Sequence, residues 1–228
     1  MTGPAGCVLV RKNTSTNCVL QMDRRKKKKP SLHSGAGPSS SAYAVSSTPE
    51  EDTTDTVVIS TAGQCIDAKI TPERGGVILY TIYHKQLYIG LAVDSATHDL
   101  TDFGGRIYYD NDPDCITGSL REFREESLSV FEPITTDQVK GYTTIYDKHN
   151  IIMFLHLDVK PNDVSQRFLS VHNEQVTQRG NNANRRLEVC GITWLTIAAF
   201  ISAVGTYGTI YERVRKVLLQ VPDWHEVF

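Results

Sequence analysis

Three closely spaced runs of β-branched and aromatic residues open the patterned part of the chain: 56–61 (TVVIST), 76–83 (GVILYTIY) and 87–93 (LYIGLAV). Their composition predicts three strands. His84-Lys85-Gln86 is short enough to join the second to the third as a hairpin. Gly104-Gly105 punctuates the chain after Asp102-Phe103, and residues 120–128 are helix-forming and rich in charge. Residues 150–159 (NIIMFLHLDV) return to strand character. The stretch 162–186 is polar and predicts a mobile loop around Gly180-Asn181-Asn182. A last strand at 189–194 and an amphipathic helix over 210–219 complete the pattern. Interleaved strands and helices imply an α/β or α+β domain over 56–228, large enough for one good core.

The first 55 residues lack any sustained apolar periodicity. They hold Arg24, Arg25, Lys26, Lys27, Lys28 and Lys29 in one block, then a tract of Ser, Gly, Ala and Pro, then Glu50-Glu51-Asp52. Such a segment cannot bury enough apolar surface to offset its conformational entropy, so 1–55 is expected to be a flexible arm. Two short apolar runs, 6–10 and 18–22, are the parts of it that could dock as strands. No long apolar core follows a basic leader, which excludes a secretory signal from the reading.

Residues 192–211 run for twenty positions without a charge, the length of a membrane span. Thr193, Thr196, Ser202, Thr206 and Thr209 make the run polar, and Gly205 and Gly208 break helical continuity. The expectation is a buried strand end followed by a core helix, with no membrane partner.

Charge changes the picture by its distribution. The total is −2, but residues 1–55 carry eight basic and five acidic side chains, a net +3, which leaves −5 for the remainder. Five cysteines without a C-x-x-C pair give neither a disulfide framework nor a structural zinc site, and reducing surroundings fit them best. Cys65, Cys115 and Cys190 read as small core or loop residues. His84, His98, His149 and His156 show no ligand spacing. Glycines in Gly205-Thr206-Tyr207-Gly208 have neither the spacing nor the lysine of a phosphate-binding loop.

The candidate chemistry lies in Leu120-Arg121-Glu122-Phe123-Arg124-Glu125-Glu126-Ser127-Leu128. On a helix Glu122, Glu125 and Glu126 stand at i, i+3 and i+4 and share one face, while Leu120 and Phe123 can anchor the helix to the core. Three like charges so placed repel one another, and a cation resolves the conflict. Oxygen ligands suit Mg²⁺ or Mn²⁺. An exposed helix laced by pairs such as Arg121–Glu125 is the plain alternative.

Gly105, Arg106 and the run Arg121-Glu122-Phe123-Arg124-Glu125-Glu126 resemble the box of the Nudix hydrolase family, G-x5-E-x7-R-E-U-x-E-E-x-G-U, with U a bulky apolar residue. Gly75-Gly76-Val77-Ile78-Leu79 looks like the family's first domain strand, and Glu188 through Trp194-Leu195 like its late strand. Three departures stand out. Gly105 and Arg121 are sixteen positions apart, against fourteen in the family; the loop glutamate is absent, with Asn111 or Pro113 in its place; and Leu128 replaces the late glycine. Asp110, Asp112 and Asp114 are the carboxylates that could substitute in the loop.

The resemblance implies an α/β/α sandwich with a mixed β-sheet and a metal-dependent hydrolase of diphosphate linkages. Glu122, Glu125, Glu126 and the Gly105 carbonyl are the implied ligands of Mg²⁺ or Mn²⁺. Glu122 is a ligand or the base, and Arg121 orients a carboxylate. Arg106 and Glu188 are expected at the substrate, with Glu174 a second candidate for the late-loop carboxylate. A nucleotide, a dinucleotide, an inositol pyrophosphate and an RNA cap are all open as substrates. The alternative is a Nudix-fold binding or structural module without hydrolysis. Residues 24–29 read equally as a solvated tail, an import signal or a salt-dependent RNA contact. An intracellular protein of cytoplasm or nucleus is the compartment expected, and a homodimer is the assembly that relatives often form.

Overall fold

An unbroken apolar run suits a strand covered on both faces. Residues 150–156 (NIIMFLH) are such a run: Ile151, Met153 and Leu155 face one core while Ile152 and Phe154 face another. The structure, a computed structural model, describes residues 56–179 and 187–228. The arm expected at 1–55, its basic block, and the loop around Gly180-Asn181-Asn182 lie outside the described residues.

The elements run β1 (Val58–Thr61), α1 (Ala62–Asp67), β2 (Arg74–Tyr83), β3 (Gln86–Asp94), β4 (Leu100–Thr101), β5 (Phe103–Arg106), α2 (Cys115–Glu126), α3 (Thr136–Val139), β6 (Thr143–Tyr146), β7 (Asn150–His156), α4 (Pro161–Arg179), β8 (Val189–Thr196), α5 (Ile197–Gly205) and α6 (Glu212–Leu218), closed by a 3₁₀ turn at Trp224–Glu226. The strands form one mixed sheet in the order β1-β6-β7-β2-β3-β4, with β5 added to β2 and β8 to β3. The β2–β7 pair is parallel and the others are antiparallel.

One face of the sheet packs Val77, Phe103 and Met153 against Cys65 of α1, Leu120 and Phe123 of α2, and Phe168 of α4. The other packs Ile78, Leu91 and Phe154 against Phe200 of α5 and Val214 and Val217 of α6. The expected α/β/α sandwich is therefore present. Alternation of side chains along each strand assigns neighbouring residues to opposite cores.

The β2–β3 connection is tighter than the three residues expected. Tyr83 pairs with Gln86, and His84 and Lys85 turn the chain alone with φ of 49° and 64°. Both residues of this turn occupy the left-handed region that two-residue hairpins require.

Two element readings need correction. The polar stretch 162–186 was expected to contain a loop around Gly180-Asn181-Asn182; up to Arg179 it is a helix from Pro161, which the pattern did not predict. Proline suits a first helical position, where no backbone N–H is needed. Val164, Phe168 and Val171 then recur at helical spacing and pack on the core, and the Ser165 hydroxyl donates to the Ile192 carbonyl at 3.0 Å. So few apolar residues in nineteen make a stripe that is narrow for pattern reading. The second correction is the start of α2, at Cys115 rather than near residue 120. Asp114 caps it by accepting the Thr117 N–H at 2.8 Å.

The uncharged run 192–211 divides as expected into the end of β8 and the core helix α5, and Thr196 caps the helix. Among the described residues, no helix is long and apolar enough to cross a membrane.

Candidate active site

Helix α2 is held close to the sheet by small residues. A side chain at Gly75 would overlap the Ser119 hydroxyl, and one at Gly105 would overlap the Glu122 carboxylate. With Leu120 and Phe123 buried beneath it, the helix turns Glu122, Glu125 and Glu126 towards one small cavity of about 170 Å³. Glu188, at the start of β8, lines the same cavity with Leu128. The three glutamates grouped by their spacing are thus brought together, and Glu188 joins them. Glu174 is exposed on α4 and does not line this cavity.

Each glutamate has its own environment. Glu126 Oε2 accepts the Gly104 N–H at 2.6 Å. Burial, reinforced by the Asp102 charge, pushes its carboxyl up to about 9, despite the opposing Gly104 N–H and Arg74. Burial also raises Glu122, partly offset by Arg121, whose Nη1 donates to Glu122 Oε1 at 2.6 Å. Glu125 is the exposed member, 3.5 Å from Arg121 Nη1.

Arg121 makes its fork chiefly with Asp112. Nε and Nη2 reach the two Asp112 oxygens at 3.0 and 2.9 Å, and Nη2 also donates to the Arg106 carbonyl at 2.9 Å. Asp112 in turn accepts the Tyr108 N–H at 2.9 Å. The Arg121 fork holds the Asp112 carboxyl below its usual range. Of the three loop aspartates that could have replaced the missing glutamate, Asp112 braces the loop, Asp114 caps α2 and Asp110 is exposed. None of them lines the glutamate cavity.

Sequence reasoning missed a second forked pair. Arg74 Nη1 and Nη2 lie 2.7 and 2.6 Å from the two oxygens of Asp102, which is wholly buried, and Nη2 also donates to the Gly104 carbonyl at 2.9 Å. Burial works against the Arg74 charge, but Asp102 outweighs it and holds the guanidinium protonated. A side chain at Gly76 would overlap the Asp102 carboxylate, and Gly104 faces Gly76 across β2 and β5. The facing pairs Gly75-Gly76 and Gly104-Gly105 were the available signal: adjacent glycines on paired strands leave room for something large. Arg74 and Asp102 fix Gly104 from its carbonyl side while Glu126 holds its N–H.

Four carboxylates around one cavity form an oxygen donor set suited to a hard divalent cation. Two of them are held above their ordinary range chiefly by burial, with neighbouring carboxylates adding to it. Among the described residues, however, no three His, Cys, Asp or Glu side chains gather as a ready-made metal cage. Glu126 is drawn to Gly104, Glu122 to Arg121, and Glu125 stands towards solvent. The donor chemistry fits the ion, with the carboxylates spread around the cavity.

No protein-family model matches the chain, and no curated protein does. Solved structures similar to it include an Ap4A hydrolase of C. elegans in a binary complex, at 15% identity and a TM-score of 0.37, covering 69% of this chain and 100% of that one. The NUDIX domain of Shewanella oneidensis NrtR, complexed with ADP ribose, is similar at 13% identity and a TM-score of 0.34, covering 60% and 80%. A mutT/nudix family protein from Listeria innocua is similar at 15% and 0.33, covering 66% and 95%. At these values none of the likenesses assigns an activity.

Proposed function

We propose that the chain is a metal-dependent hydrolase that cleaves a diphosphate linkage in a nucleoside diphosphate derivative or an RNA-cap-like substrate. The observation that carries this reading is the convergence of Glu122, Glu125, Glu126 and Glu188 on one cavity beside Gly105. Glu122, Glu125, Glu126 and the Gly105 carbonyl would hold Mg²⁺ or Mn²⁺. Bound there, such an ion neutralises phosphate oxygens and lowers the pKa of a water.

The chain's own groups do the rest. Glu122 touches Arg121 through one oxygen, and the other would serve either as a ligand of the ion or as the base that accepts a proton from an attacking water. Arg121 positions Glu122 while it braces the Arg106 carbonyl and Asp112. Gly104 is fixed on both sides by Glu126 and Arg74, so the edge of β5 is rigid where the substrate would lie. Arg106, exposed next to that edge, offers a cation to the phosphates. The basic block at 24–29 adds a salt-dependent RNA contact to this reading.

A phosphate-release screen over diphosphate substrates, with and without Mg²⁺ or Mn²⁺, tests it. Release should require the metal and disappear in Glu125→Gln and Glu126→Gln, with the melting transition retained. Metal-independent release, or release unchanged in the double variant, overturns the assignment. The absence of a loop carboxylate from the cavity favours one second reading, a binding module without turnover. Substrate binding without release in the same screen would establish that reading.

A further inference from the structure

A cavity of about 680 Å³ borders β5 at Gly105 and Arg106, and the proposed hydrolysis leaves Arg213 and Glu73 of its lining unexplained. It is walled by Arg74 of β2, Arg106 of β5 and Arg213 of α6, with Thr71, Glu73 and Tyr109 at its margin. Its size is that of a small-ligand site.

The three arginines differ in what they can offer. Arg74 is committed to Asp102 by its buried fork. Arg213 donates Nε to the Asn150 side chain at 2.8 Å, which fixes its direction, and its Nη2 stands 3.7 Å from Glu73 in a long, exposed ion pair. Such pairs are weak. Arg106 is exposed and, among the described residues, has no carboxylate within ion-pair distance; its guanidinium lies 5.7 Å from the centre of the Tyr108 ring. The cavity therefore presents one cation without a carboxylate and one loosely held by Glu73. Planar guanidinium groups from separate elements suit the tetrahedral oxygens of a phosphate group, which accept forked hydrogen bonds.

We propose that this cavity binds a phosphate-bearing end of the substrate, beyond the scissile linkage, through Arg106 and Arg213. The identity of that occupant rests on the diphosphate reading above; the binding of phosphate does not. Glu73 is the built-in competitor. An incoming phosphate takes Arg213 from it, so removing the Glu73 charge should strengthen binding while removing either arginine weakens it.

The test is calorimetric titration of inorganic pyrophosphate into the full-length chain, without divalent metal, with residues 24–29 replaced by Gln in every sample so that the basic block adds no background. Arg106→Gln and Arg213→Gln should each weaken binding about tenfold, the scale of one charge-assisted hydrogen bond. Glu73→Gln should tighten it about threefold, in keeping with a weak surface pair. Thr71→Glu leaves both arginines in place and should weaken binding by adding a carboxylate at the margin, which separates loss of charge from loss of folding around Asn150. Pyrophosphate affinity that is unmeasurable at millimolar concentration, or unchanged in Arg106→Gln and Thr71→Glu, overturns the proposal. Because the titration involves no turnover, the two readings fail separately: metal-dependent hydrolysis with a silent cavity sinks this proposal alone, and cavity binding without hydrolysis sinks the other.

Discussion

Arg121 grips Asp112 with two parallel hydrogen bonds, 3.0 and 2.9 Å long, and so ties α2 to the loop that precedes it. Asp112 is 3% exposed and its second contact, the Tyr108 N–H, leaves it fully engaged. Asp112→Ala removes the Arg121 fork and leaves the Tyr108 N–H without its acceptor, while Arg121 keeps Glu122 and the Arg106 carbonyl. The expected loss is about 3 kcal/mol, the scale of removing one partner from a buried pair. Thermal denaturation should show a melting temperature lowered by roughly 6–12 °C. A shift of less than about 2 °C would mean that the fork contributes little.

The Glu126 carboxyl, pushed up to about 9 by burial, is protonated at neutral pH when no cation is bound. A folded-state pKa raised above the unfolded one stabilises below the ordinary carboxylate range, and this contribution is lost as pH rises through about 9. In the metal-free chain Glu126→Gln should therefore raise the melting temperature at pH 8, by about 2–4 °C for each kcal/mol recovered. Towards pH 5 the difference should shrink to nothing. A gain that is independent of pH would point away from titration of this group.

Leu128 and Ser129 both have left-handed backbone, with φ of 56° and 54°. Leu128 stands where the resembled box has glycine, the residue that enters the left-handed region without steric cost. Leu128 packs on the core, whereas Ser129 is exposed. Ser129→Gly should stabilise the fold by about 1 kcal/mol by removing the left-handed penalty without losing packing. Equilibrium urea unfolding reads this as a higher midpoint at an unchanged slope.

Gly76→Ala places a methyl group where the Asp102 carboxylate lies. Either the strands part or the Arg74 fork opens. The expected cost is about 3–5 kcal/mol. The urea midpoint should fall well below that of Gly141→Ala, a position where an added methyl group meets nothing within 4 Å. Equal midpoints for the two variants would remove the steric argument.

The legible parts of the fold were those with a strong local period. The runs containing β2, β3 and β7 read as strands because their apolar character is dense, and the glutamates of α2 read as one face because i, i+3 and i+4 leave little choice. Helix α4 was not legible, since only Val164, Phe168 and Val171 mark its inner side among polar residues. The Arg74–Asp102 pair joins residues far apart in sequence, and only the pairing of β2 with β5 brings them together. Asp112 could be named as a carboxylate near the site, but its commitment to Arg121 depends on a loop path that no local pattern encodes. Arg213 falls in the segment 210–219 that read as an amphipathic helix; its place beside Arg106 follows from packing α6 on the second face of the sheet.

Strand β5 pairs along one edge with β2, and strand edges are only about 4.8 Å apart. Gly105 meets the Glu122 carboxylate and, with Arg106, also borders the cavity of the three arginines. The strand consequently stands between a surface that carries the glutamates and one that carries Arg106 and Arg213. A molecule that touches both surfaces must bend around the unpaired edge of β5, and its charges must be spaced to match that bend. Under the proposed hydrolysis, length and charge spacing would then select among anions that offer the same reactive bond.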